Sequence, residues 1–135
     1  MIKFDEIEQD YFSGVNEVNI SFEIKNEILD SLSFKMETIA RGLKFYYETI
    51  LENFEGDYLI INYYVSAPNL RGYRKKLFSI EIKNLTDYPV KIEFDIVDIK
   101  KEVLDKDTLV KEITKYLVHS KVKETLMSLM KENMW

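Results

Sequence analysis

The sequence predicts a single α+β domain with the element order β-α-β-β-β-α(α). Its strands are marked by alternating apolar and polar residues, its helices by apolar residues every three or four positions, and its last strands by short connecting loops. Strands joined by short loops pair antiparallel. We therefore expect an antiparallel meander sheet, packed on one face by a long helix and a broken C-terminal helix.

The first strand is predicted at 18–24, where every second residue is apolar: Val18, Ile20, Phe22 and Ile24. A long amphipathic helix is predicted next, with Asn26 as its N-cap and Gly56 as its stop. Its apolar stripe comprises Leu29, Leu32, Met36, Ile39, Ala40, Leu43, Tyr47, Ile50, Leu51 and Phe54.

Two aromatic residues lie off that stripe. At about 100° per residue, Phe34 and Phe45 fall nearly opposite the apolar face of the predicted helix. A helix with apolar groups on its back either lies between two layers or presents them to a partner. We expect one of these two arrangements for Phe34 and Phe45.

Three further strands are predicted at 58–66, 76–85 and 90–99. One face of the sheet should be apolar, with Leu59, Ile61, Tyr63, Val65, Phe78, Ile80, Ile82, Val90, Ile92, Phe94 and Ile96. The other face should be solvated, with Tyr58, Ile60, Asn62, Tyr64, Ser79, Glu81, Lys83, Lys91, Glu93 and Asp95.

The C-terminal region reads as a helix with Asp107 as its N-cap. The phase of its apolar residues slips near 118–120, which predicts a break there, with Ser120 able to cap a second helix. The chain is expected to form one domain over 1–135. Within it, residues 1–14 are expected to form an irregular arm and 119–135 a separate terminal helix.

Composition excludes several classes of function. The chain has 135 residues and no cysteine, so disulfides, thiolate zinc sites, iron–sulfur clusters and cysteine nucleophiles are impossible. It also lacks the glycine-rich phosphate loops, the nucleophile elbow and the paired-histidine zinc motif of common enzymes. We therefore expect a protein that is not an enzyme and needs no cofactor or metal.

Two polar features could still carry chemistry, but each has a simpler interpretation. His119 is the only histidine and falls in the predicted helix break, where we expect a partly exposed helix-end residue rather than a catalytic base. Glu81, Glu93 and Asp95 share the solvated face and could hold a divalent cation or act as paired carboxylates. Cross-strand ion pairing with neighbouring lysines explains the same pattern.

Basic residues concentrate in the loop between the second and third predicted strands. It contains Arg71, Tyr73, Arg74, Lys75 and Lys76, whereas residues 1–30 hold eight acidic and two basic residues. Cations flanking an aromatic ring are typical of contacts to phosphate or single-stranded nucleic acid. The alternative is a solvated hairpin whose charges discourage edge pairing.

Aromatic and apolar residues at positions outside the predicted core form the second functional signal. Tyrosine is enriched at protein interfaces, and exposed apolar patches mark contact surfaces. The candidate partner-binding residues are Phe34, Phe45, Tyr58, Ile60 and Tyr64. Alternatively, a terminal segment of the same chain covers them.

The sequence thus favours a protein-binding module of the inhibitor, immunity, chaperone or adaptor type. Its partner would be another protein, itself, or both. The alternative is a nucleic-acid or phospholigand binder that uses the basic loop. The acidic N-terminus without an apolar stretch favours a cytoplasmic location and no membrane contact. Of the 19 basic side chains only Arg41, Arg71 and Arg74 are arginine, and this lysine bias is typical of a low-GC bacterium or mobile element.

Overall fold

The computed structural model describes residues 20–52, 58–83 and 87–134. Within them, a helical segment precedes a five-stranded antiparallel sheet, and two helices follow it. The strands lie in sequence order, so each pairs with the next. The predicted α+β class and antiparallel meander are confirmed, but the order of the first elements differs from the prediction.

The structure defines three helical segments and five strands. Helix α1 spans residues 20–39, α2 is Lys106–Leu117 and α3 is Ser120–Asn133. The strands are β1 (Lys44–Glu52), β2 (Tyr58–Ala67), β3 (Tyr73–Ile82), β4 (Val90–Phe94) and β5 (Ile99–Val103). The arm expected at 1–14 lies outside the described residues. None of the helices between residues 20 and 134 has an apolar stretch long enough to cross a bilayer.

The strand predicted at 18–24 is wrong, because Ile20 already begins α1. Ile20 and Ile24 fit an alternating pattern, but together with Ile28 they also recur every fourth residue, and all three are buried on one side of α1. Phe22, which a strand would bury beside them, is 43% exposed. Residues 24–29 form a π-helical stretch inside this helix.

The long helix predicted to end at Gly56 ends instead at Ile39, and Gly56 itself lies outside the described residues. Gly42 has φ +91°, a left-handed conformation that glycine adopts without strain and that reverses the chain after the helix. The following residues, Phe45 to Ile50, are mostly aromatic, β-branched or threonine, which favour a strand. They form β1.

The three predicted strands downstream are confirmed as β2, β3 and β4, with shifted ends. The strand predicted at 90–99 is split, because β4 ends at Phe94 and β5 starts at Ile99 after a turn in which Asp98 has φ +51°. The pairing of β2 with β3 shifts between Tyr63 and Tyr64, which leaves Leu77 as the extra residue of a β-bulge.

The three helices pack against the apolar face of the sheet. Its aromatic rings stack in sequence: Tyr63 lies 4.9 Å from Phe78, and Tyr116 of α2 lies 4.4 Å from Phe94. Two hydroxyl groups join the layers: Tyr63 and Ser33 of α1 share a hydrogen bond of 2.9 Å, and Tyr116 donates to the carbonyl of the bulge residue Leu77 at 2.7 Å. Helix positions are therefore fixed by polar contacts as well as by packing.

The predicted break in the C-terminal helix is confirmed, since α2 ends at Leu117 and α3 begins at Ser120. The two predicted caps are displaced, one by two residues and the other by one. Asp105, not Asp107, is the N-cap of α2, and its carboxylate accepts from the Thr108 amide. His119, not Ser120, caps α3 through its Nδ1.

Candidate functional site

The described helices pack on one face of the sheet and leave the opposite face uncovered. We call it the open face. The strand register places these residues on it: Lys44, Tyr46, Glu48, Ile50, Tyr58, Ile60, Asn62, Tyr64, Ser66, Arg74, Lys76, Ser79, Glu81, Lys91, Glu93, Lys100 and Glu102. The residues of the predicted solvated side that fall within β2, β3 and β4 lie together on this face. Asn62 among them is buried, at 8% exposure, and Lys83 and Asp95 lie beyond the strand ends.

The open face has two chemically different halves. On β3, β4 and β5, opposite charges face one another across the strands: Glu81 is opposite Lys91, and Glu93 is opposite Lys100. Cross-strand pairs of opposite charge stabilise a solvated sheet surface. This part, the charged half, needs no partner to explain its composition.

On β1 and β2 the same face is aromatic and aliphatic. We call the surface formed by Tyr46, Ile50, Tyr58, Ile60 and Tyr64 the aromatic half. Ile50 is 41% exposed, and the other four side chains are half-buried among their neighbours. No two residues directly opposite each other on β1 and β2 form a pair of opposite charges here, so cross-strand pairing between these strands does not account for the exposed apolar area.

Arg74, at the start of β3, lies over the aromatic half and is held by contacts on several sides. The rings of Tyr46 and Tyr64 stack with centroids 5.6 Å apart, and the Arg74 guanidinium carbon lies 4.1 Å from the Tyr64 ring centre. Nη1 of Arg74 donates to Glu48 Oε1 at 2.7 Å and to the Tyr46 hydroxyl at 3.5 Å. These hydrogen bonds, to Tyr46 and Glu48, raise the pKa of Arg74. The group is therefore charged and oriented before any ligand arrives.

Three of the five predicted partner-binding residues, Tyr58, Ile60 and Tyr64, lie together in the aromatic half. Phe34 lies on α1, on the helix-covered side of the sheet, and its side chain is 79% exposed. Phe45 is not on the back of a helix. It lies on β1, points into the core with 3% exposure and stacks near Tyr63, so it cannot contact a partner in this fold.

The predicted basic loop does not form a continuous basic surface. Strand pairing places Tyr73 and Lys75 opposite the core-facing residues Ala67 and Val65, whereas Arg74 points to the open face. Arg74 pairs with Glu48 at 2.7 Å, and Lys76 lies 3.7 Å from Asp95. Of the loop's four cations, two are therefore already paired within the chain.

Tyr73 and Lys75 line an open groove of about 620 Å³ between the β2–β3 turn and α3. The opposite wall carries Glu124 and Glu132. Two carboxylates beside a single lysine disfavour a polyanion such as nucleic acid. The groove therefore places one of the loop's four cations, Lys75, in a surface of mixed charge.

The carboxylates considered for metal chemistry are dispersed or paired. Glu81 lies 3.8 Å from Lys83, and Asp95 pairs with Lys76. In the part of the chain that the structure describes, no group of three or more acidic or histidine side chains could hold a metal ion. Burial is the main cause that raises the pKa of Asp95, and the nearby Lys76 opposes it.

Sequence reasoning missed Tyr46, Glu48 and the role of Arg74. All three depend on β1, which the predicted long helix replaced. The run of aromatic and β-branched residues from Phe45 to Ile50, after Gly42, is the signal that could have identified it. Comparisons with protein-family models, curated proteins and solved structures found no match, so the site must be interpreted from its own geometry.

Proposed function

We propose that this protein is a non-enzymatic binding module that recognises another protein through the aromatic half of its open face. The observation that supports this most directly is the cluster of Tyr46, Tyr64 and Arg74, packed together and oriented by Glu48. Tyrosine and arginine are the residue types most enriched at interface hot spots, together with tryptophan. The cluster adjoins aliphatic surface at Ile50 and Ile60.

Preorganisation supports the same function. A free arginine loses side-chain entropy when a partner fixes it, at a cost of about 0.5–1.5 kcal/mol for a flexible side chain. Arg74 is already held by stacking on Tyr64 and by two hydrogen bonds through Nη1. Much of that cost is therefore incurred on folding rather than on binding.

The chemistry of the cluster also defines the partner. Among the described residues, the Arg74 Nε and Nη2 groups have no hydrogen-bond partner, so they can donate to a carboxylate or a backbone carbonyl. The tyrosine rings and Ile60 would contact apolar or aromatic side chains. We expect a partner surface with an apolar centre and an acceptor oxygen above Arg74.

Within this proposal, the protein is of the inhibitor, immunity, chaperone or adaptor type, acts in the cytoplasm and comes from a low-GC bacterium or mobile element. The lysine-rich composition supports the source. The absence of cysteine supports the cytoplasmic location. These assignments are tested by the identity of the partner.

Site-specific photo-crosslinking tests the contact surface. A benzoylphenylalanine placed at Tyr64 should form a discrete crosslinked product in the source organism, whereas the same group at Lys100 in the charged half should not. With the partner purified, Tyr64→Ser and Arg74→Ala should each weaken binding by about tenfold or more. Lys100→Ala should leave affinity unchanged.

Phe34→Ser distinguishes the aromatic half from the exposed aromatic residue on α1. If the proposal is correct, this variant binds as tightly as the wild type. Binding that is lost with Phe34→Ser and kept with Tyr64→Ser would place the contact on α1 and refute the proposed surface. Circular dichroism of each variant shows whether the fold is retained.

The nucleic-acid alternative has less geometric support, because the basic loop is divided between two sides of the sheet and half of its cations are paired. It is tested by titrating single-stranded oligonucleotides at two salt concentrations. Binding that weakens steeply with salt and is lost in an Arg71→Ala/Lys75→Ala variant would favour it. The same variant should leave the proposed protein binding intact.

A further inference from the structure

The two edges of the described sheet differ in a way that points to a second interface. The β5 edge is five residues long and carries Lys100, Lys101 and Glu102, which is how proteins protect a sheet edge from pairing with another chain. The β1 edge is nine residues long. Its second half includes Ile50, 41% exposed, and Leu51, 59% exposed.

The outward backbone groups of β1 can be identified from one contact. The Phe45 amide donates to Glu37 Oε2 of α1 at 3.1 Å, so it points away from β2. Along an antiparallel edge strand every second residue points the same way. Tyr47, Thr49 and Leu51 therefore also direct their amide and carbonyl groups outward.

Glu37 occupies the first outward position of this edge. At the next three, the amides of Tyr47, Thr49 and Leu51 have no hydrogen-bond partner among the described residues. A backbone N–H group at a sheet edge is a template for an added strand. The unpaired backbone groups of this edge thus belong to three alternate residues, with Thr49 in the middle.

We propose that β1 pairs with β1 of a second copy of this chain, antiparallel and centred on Thr49. This inference goes beyond the proposed function, because it concerns the edge of the sheet and a second copy rather than the open face and another protein. Tyr47 would lie opposite Leu51 of the other copy, and Thr49 opposite its own counterpart.

Side-chain complementarity supports a second copy as the occupant of this edge. In the register centred on Thr49, each exposed Leu51 is covered by the ring of Tyr47 from the other copy. On the open face, Ile50 lies opposite Glu48 of the other copy and becomes a diagonal neighbour of the other Ile50, at about 7–8 Å. Pairing of two copies about a two-fold axis would therefore cover both exposed residues, Ile50 and Leu51.

The absence of cysteine allows a direct test of the register. In a hydrogen-bonded antiparallel pair the opposing Cα atoms are about 5.5 Å apart, which suits a disulfide. A Thr49→Cys variant should therefore form an intermolecular disulfide under mild oxidation. Tyr47→Cys and Glu48→Cys report the neighbouring registers, and Thr114→Cys on α2 is the matched exposed control.

Thr49→Cys is expected to crosslink about tenfold faster than the other three variants, since only its Cα atoms meet within disulfide range. In sedimentation experiments the wild type should form a dimer with a dissociation constant of roughly micromolar order, as expected for a small interface. Thr49→Lys and Thr49→Glu should each be monomeric because like charges then face across the axis. Mixing these two variants should restore a heterodimer.

Three results would overturn the proposal. In the first, the wild-type protein stays monomeric at high concentration. In the second, Thr49→Lys and Thr49→Glu both still form dimers. In the third, Thr49→Cys crosslinks no faster than the cysteine variants at Tyr47, Glu48 or Thr114. Circular dichroism shows whether each variant remains folded. These measurements use purified protein alone, so a result against the dimer does not count against the proposed function. A failed crosslink from Tyr64 to a partner protein likewise does not count against the dimer.

Discussion

Two tyrosines whose hydroxyl oxygens are buried, Tyr116 and Tyr88, should respond in opposite ways to the loss of those hydroxyl groups. The Tyr116 hydroxyl donates to the Leu77 carbonyl at 2.7 Å. The Tyr88 hydroxyl oxygen is buried and has no hydrogen-bond partner within the described ranges 20–52, 58–83 and 87–134. Tyr→Phe removes one oxygen from each site and leaves the ring in place. The comparison therefore isolates the polar group.

The expected magnitudes follow from what each hydroxyl leaves behind. In Tyr116→Phe, the Leu77 carbonyl keeps its bond from the Asp95 amide at 3.1 Å, so no acceptor is orphaned. The loss is then the hydrogen bond to Leu77 together with the contact that the Ile96 backbone makes to the same hydroxyl, about 1–2 kcal/mol. In Tyr88→Phe, the change removes an unsatisfied buried group, which stabilises the protein by about 1 kcal/mol.

Urea unfolding followed by circular dichroism at pH 7 measures both changes. Tyr116→Phe should unfold at lower urea concentration and Tyr88→Phe at higher concentration, with melting temperatures shifted by about 4 °C in opposite directions. Tyr73→Phe is the control, because Tyr73 is 45% exposed. Equal destabilisation by Tyr88→Phe and Tyr116→Phe would refute the reasoning.

Further predictions concern pH and the C-terminal helix. Burial raises the pKa of Tyr88 and of Tyr116 from 10.0 to about 12, so the unfolded chain releases these protons at a lower pH than the folded protein does. The free energy of unfolding should therefore fall between pH 10 and 12. The fall should be smaller in Tyr88→Phe and in Tyr116→Phe. Hydrogen bonds from Thr108 lower the pKa of Asp105 below 3.8. Asp105→Ala should therefore have a lower melting temperature than the wild type at pH 7. The difference between the two melting temperatures should disappear as the pH falls through the pKa of Asp105 in the folded protein. Asn133→Ala should destabilise by about 2–3 kcal/mol in urea, because its side chain accepts from the Asn69 amide at 2.9 Å and donates to the Gly42 carbonyl at 3.1 Å; an unchanged midpoint would contradict this.

The downstream strands could be predicted because only one period fits their residues. Ile61, Tyr63 and Val65 alternate with polar or half-exposed neighbours, and a helical spacing does not describe them. The N-terminal region was ambiguous in this respect. Ile20 and Ile24 satisfy both periods, and burial against the sheet, which no local pattern reveals, decides for the helix.

The candidate site was only partly predictable for a related reason. Tyr58, Ile60 and Tyr64 follow from the alternation of β2 alone. Their neighbours Tyr46 and Glu48 come from β1, and the contact of Arg74 with them depends on the pairing of β1, β2 and β3. Such cross-strand clusters depend on register, which the sequence of a single strand does not specify.

The sheet is asymmetric in two ways, in the composition of its open face and in the length of its edges, and both features involve β1 and β2. The charged half on β3 to β5 pairs its charges internally, and the β5 edge is short and charged, so this side is complete as a monomer. The aromatic half keeps exposed apolar surface beside the Arg74–Glu48 ion pair, and the nine-residue β1 edge exposes Ile50 and Leu51. In the proposed dimer the two-fold axis stands perpendicular to the sheet, so both open faces point the same way. The two aromatic halves would then adjoin across the axis, and a partner wide enough to span it would bind once per dimer rather than once per chain.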